Sequence, residues 1–131
     1  MSEHFEKVKN FLIELEYTIL KEDPNEELFI VEKEDTGITN LIIDCEDPIL
    51  IIEGVLFEIK NKQSTVFEEL LAKNREIIHG AFVLDENRTK VLFRDTLQLE
   101  NLDLNEIEAT LNSLELLLSE YSTQIIEFSN Q

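Results

Sequence analysis

The sequence predicts an α+β fold: one twisted, mainly antiparallel sheet with helices packed on it, in the order αβββαββα. Two observations carry this prediction. The β-rich runs fall into two groups, separated by a helical stretch and flanked by helical apolar spacing at both ends. With 131 residues, 43% apolar and 31% charged, the chain suits a single domain spanning 1–131 that buries its core without a disulfide. No internal repeat, low-complexity tract or linker divides it.

Residues 3 to 20 read as the first helix, because Phe5, Val8, Leu12, Leu15 and Ile19 recur at spacings of three and four. Pro24 cannot continue a helical ladder and marks the stop. Leu28 to Lys33 is a β-rich run, Asp35-Thr36-Gly37 a turn, and Ile38 to Cys45 a second strand. Glu46-Asp47-Pro48 turns into a third strand, Ile49 to Ile59. That strand is apolar at odd and even positions, which suits a central strand or one covered on both sides. Gly54 in its middle suggests a bulge or bend.

Ser64 or Thr65 starts the next helix, with Thr65 and Glu68 at capping-box spacing and an apolar face of Phe67, Leu70 and Leu71. Gly80 ends that segment, Ala81 to Leu84 is a strand, Asp85 to Arg88 a loop and Val91 to Leu99 the last strand. The final helix has the strongest signals. Asp103 is its N-cap, Glu106 follows at the box position, and Leu102 and Ile107 occupy the staple positions. Ile107, Leu111, Leu114, Leu118, Tyr121 and Ile125 continue the stripe towards Phe128.

Lys plus Arg number 11 against 29 Asp plus Glu, a formal charge of -18. That field opposes nucleic acid and anionic membranes. The start of the chain lacks a basic, then apolar, secretory pattern, and no apolar run approaches the ~20 residues of a membrane span, so the cytoplasm is expected. The three glycines lie in no phosphate-binding pattern, and no serine sits in a nucleophile elbow. His4 and His79 have no zinc-ligand partners, and His79 reads as a turn or edge residue. Cys45 reads as a small buried hydrophobe whose thiol pKa is raised by Asp44, Glu46 and Asp47. The acidic turns at residues 44–47 and 85–87 do not match a calcium loop. No catalytic residue, cofactor or metal is therefore expected.

What remains is surface. On a helical wheel Ile13, Tyr17 and Leu20 fall opposite the packing stripe of the first helix, and Leu116 falls opposite that of the last. Either neighbouring loops cover these groups, or they form a partner surface. Strand Leu28 to Lys33 reads as a possible sheet edge beside them, so Leu28 and Ile30 join Ile13, Tyr17, Leu20 and Leu116 as candidate partner-binding residues.

Leu70-Leu71, Asn74, Gly80-Ala81-Phe82, Leu84-Asp85-Glu86, Val91, Phe93-Arg94, Leu97 and Leu99 precede the Asp103-capped helix. This segment resembles the YbjN-like family, which shares its fold with the class I type III secretion chaperones of the Tir chaperone kind. The element order extends the likeness to nearly the whole chain. The resemblance implies a small, acidic, cytoplasmic bacterial homodimer with no catalytic motif, and a chaperone-like role in binding an extended segment of a client protein. Two other readings stand beside it: an adaptor recognising one folded partner, and an enzyme built on carboxylates and a divalent metal.

Overall fold

The computed structural model describes residues 2–61 and 64–130. Its elements run α1 (Glu3–Glu14), β1 (Thr18–Asp23), β2 (Leu28–Lys33), β3 (Ile38–Glu46), β4 (Ile49–Glu58), α2 (Ser64–Asn74), β5 (Ala81–Leu84), β6 (Lys90–Gln98) and α3 (Leu104–Ser129). A short 3-10 turn, Glu34–Thr36, precedes β3 and closes at Gly37 with φ 84°. The six strands form one antiparallel sheet in the order β1-β2-β3-β4-β6-β5.

The first helix is shorter than its apolar spacing predicts. Ser2 caps α1 by accepting from the Phe5 amide at 3.1 Å. At the other end Glu16 adopts φ 65°. Its amide donates to the Ile13 carbonyl and that of Tyr17 to the Leu12 carbonyl, both at 3.0 Å. These paired bonds make a Schellman stop, here with Glu where glycine is usual. Tyr17 and Leu12 are both buried, the apolar contact that accompanies such a stop. Thr18–Leu20, expected as the last residues of the helix, and Lys21–Asp23, expected as its stop, instead form strand β1. Strand β2 is therefore flanked by β1 and β3 and is not an edge.

Gly54 is a close approach on β4, since a Cβ there would lie 2.9 Å from Leu41 Cδ1. The register shift falls just after it, between Val55 and Phe57. Thr65 lies inside α2, so the capping box expected on it does not form; the position before Ser64 is outside the described residues. Helix α3 starts as expected, with Asp103 Oδ1 accepting from the Glu106 amide at 2.9 Å. Its 26 residues span about 39 Å.

One sheet face carries Phe29, Val31, Leu41, Ile43, Cys45, Leu50, Ile52, Phe57, Val91 and Phe93, all buried. Phe5, Val8 and Leu12 of α1, Val66 and Leu70 of α2, and Ile107, Leu111, Leu114 and Leu117 of α3 complete the same cluster. All three helices thus lie on one side. Thr110, fully buried on α3, donates to Asp95 Oδ2 at 2.7 Å, so the buried hydroxyl is satisfied. Strand β4 is central, as its two apolar faces suggest, but helices cover only one of them.

Candidate functional site

The uncovered sheet face follows from the strand period: residues opposite the core point away from the helices. Cross-strand register orders it into rows. Leu28, Asp44, Ile51 and Thr96 form one row, and Ile30, Ile42, Glu53 and Arg94 the next. Glu46 with Ile49, and Val55 with Leu92, flank them. Ile42 is 38% exposed and Val55 60%, and Leu28, Ile30, Ile49 and Ile51 are each partly exposed. Among the described residues only Leu92 is buried on this side. A sheet surface with this much aliphatic area and no covering layer is unusual for an isolated domain.

Charge on this face is unbalanced. Arg94 Nε pairs with Glu53 Oε2 at 3.1 Å. Asp44 has no such partner among the described residues. Partial burial, then the neighbouring Glu46, Glu26 and Glu53, push its carboxyl up to about 6. Cys45, on the core side of the same strand, is inert: burial, then Glu27, Asp44 and Glu46, push its thiol up to about 12.

Both sheet edges are guarded. Strand β1 carries a bulge between Ile19 and Lys21, followed by charged Glu22 and Asp23. On β5 the Asn74 side chain takes the place of a neighbouring strand. Its Nδ2 donates to the Phe82 carbonyl at 3.2 Å, and its Oδ1 accepts from the Phe82 amide at 2.7 Å. Beside that edge lies a groove of about 260 Å³ lined by Phe67, Leu70, Leu71, Phe82, Leu84 and Val91 among others, with no charged side chain in its wall.

The candidate partner residues do not form one stripe. Ile13 is 56% exposed on α1 and Leu20 47% exposed on β1, but Tyr17 is buried between them. The Tyr17 hydroxyl donates to Glu115 Oε2 of α3 at 3.2 Å. Tyr17 is therefore internal packing, and the helix that was to align the three ends before it. Leu28 and Ile30 belong to the open face. Leu116, 55% exposed, lies on the helical layer near Ile77, Ile78 and His79. Ile42, Ile49, Ile51 and Val55 also lie on the open face; for the three on β4 the signal in the sequence is the run of apolar even and odd positions, and Ile42 on β3 has none of its own.

Among the described residues no group of three or more His, Cys, Asp or Glu could hold a metal ion, and no helix is long and apolar enough to cross a membrane. The chain shares its fold with YbjN from E. coli (TM-score 0.67, 14% identity, 91% of each chain covered). It shares it with a chain of the HopA1-SchA chaperone-effector complex (TM-score 0.61, 17% identity, 97% of this chain and 94% of that one). A third similar structure is the ExsC-ExsE complex (TM-score 0.53, 23% identity, 92% and 93% covered). No curated protein sequence matches. The CesT_Tir_1 family matches residues 1–131, end to end, and the chain belongs to that family.

Proposed function

We propose that this protein is a non-enzymatic, chaperone-like domain that acts in the cytoplasm as a homodimer and holds an extended segment of a client protein. The uncovered sheet face carries this reading: an aliphatic surface on the β2–β4 strands with no layer of its own to bury it. The family match and the chaperone-effector complexes among the similar structures support it. Guarded edges favour docking across the face over strand addition at β1 or β5.

Self-association needs a different surface. Two chains of charge -18 repel, so they meet where charge is absent. The charge-free groove beside β5, with Leu71 71% and Leu84 42% exposed, meets that requirement. Client binding is tested by placing a photo-crosslinking amino acid at Ile42 or at Ile126 and irradiating the protein in its native cytoplasm. An adduct at Ile42 mapping to one client segment, with none at Ile126, is the expected result; adducts at Ile126 alone would reject the reading.

A further inference from the structure

The mixture of apolar and acidic side chains on the open strands states what the docked segment must carry, and this inference rests on the client-binding reading above. On β3 the outward residues run Ile42, Asp44, Glu46; on β4 they run Ile49, Ile51, Glu53, Val55. Outward side chains recur at every second residue, about 6.7 Å apart; they are apolar at Ile42, Ile49, Ile51 and Val55 and acidic at Asp44, Glu46 and Glu53. The ion pairs among the described residues are Lys9–Glu22, Lys73–Glu69 and Arg94–Glu53, and none engages Asp44 or Glu46. Those two carboxyls stand on the same face of β3, two residues apart, with Glu53 paired across from Ile42 on the neighbouring strand.

Charge decides between occupants. A second copy docked face to face would set these carboxylates against their own kind, and like charges at contact are costly. A neutral apolar segment would bury Asp44 and Glu46 with no partner. An extended chain whose docking side carries both apolar and basic side chains covers the isoleucines and neutralises both carboxylates. We propose that the open sheet face binds cationic amphipathic segments, which carry Lys or Arg together with Val, Ile or Leu on the docking side.

The test uses short fluorescent peptides with Val and Lys alternating at every second position and Ser between them. Otherwise identical peptides carry Glu or Thr in place of Lys. Binding is read by anisotropy to the whole protein and to three variants. Asp44→Asn/Glu46→Gln removes two charges from the face, and Glu86→Gln/Glu120→Gln removes two from elsewhere. Ile42→Ser shortens the apolar surface at an exposed position. The Lys peptide is expected to bind about tenfold more weakly to the face double variant, equivalent to about 1.4 kcal/mol, and within about twofold of normal to the remote one. Ile42→Ser should weaken it too, and the Glu peptide should not bind. Equal losses in both double variants would reduce the effect to general attraction by the acidic chain and overturn the proposal. If the Thr peptide binds as tightly as the Lys peptide, and Ile42→Ser weakens both, the cationic requirement falls while client binding stands. If Ile42→Ser changes nothing, the face is not the binding surface and both readings fall.

Discussion

Gly80 is held by two independent constraints. It adopts φ +87°, and a Cβ there would collide with the Phe93 ring in the core. Gly37 shares the positive φ of +84° but faces open space. Gly37→Ala should therefore cost about 1 kcal/mol from backbone strain alone, and Gly80→Ala about 3 kcal/mol because a packed ring must also shift. Chemical denaturation of both variants checks the ordering. Tyr17 is the second informative residue. Burial and Glu115 push its phenol well above the usual range, so it stays a neutral donor. Tyr17→Phe should cost about 1 kcal/mol through the lost hydrogen bond. Tyr17→Asp should cost about 3 kcal/mol or more, by burying an unpaired charge beside Glu115. A folded Tyr17→Asp protein of unchanged melting temperature would refute the packing assigned to it.

Asp44 gives a prediction in pH. Its folded pKa, about 6, lies above its ordinary value of 3.8. The group therefore favours the folded state below pH 4, and that contribution is lost as pH rises through about 6. Asp44→Asn removes the penalty. It should stabilise the protein by about 1 kcal/mol at pH 7, after allowance for solvent screening, and by nothing at pH 4. Thermal melts at the two pH values measure this directly.

At the scale of elements, legibility tracked how local the signal is. The N-terminus of α3 was readable because Asp103, Glu106, Leu102 and Ile107 act within one turn. Asp103→Ala should cost about 1 kcal/mol, read as a lowered denaturation midpoint. The end of α1 was not readable, because a Schellman stop at Glu16 lacks the glycine that usually announces it. The apolar spacing ran through the stop, since Ile19 packs on the same core from a strand. With the stop unannounced, Thr18–Leu20 read as helix and β2 reads as the first strand, at an edge. Asn74 was recognisable within the family resemblance, but its work on the Phe82 backbone depends on the return of β5 beside α2. Only the folded chain shows that pairing.

At the scale of the molecule, two features set the behaviour: three helices on one sheet face, and a charge of -18. The first leaves an aliphatic surface bare. The second favours a charge-free contact between copies in the proposed homodimer. Light scattering at tens of micromolar should give twice 15.3 kDa, and Leu71→Asp should return the protein to its monomer mass with the fold intact, because Leu71 is exposed within one chain. The isoleucines separate the surfaces on which the central claim turns. Ile30, Ile42, Ile49 and Ile51 lie on the open face, while Ile13, Ile78 and Ile126 are exposed elsewhere. In a methyl-labelled NMR spectrum, adding the client segment mapped by crosslinking should move the first four resonances and leave the other three in place. Shifts confined to Ile13, Ile78 and Ile126, with the open-face methyls unmoved, would contradict it.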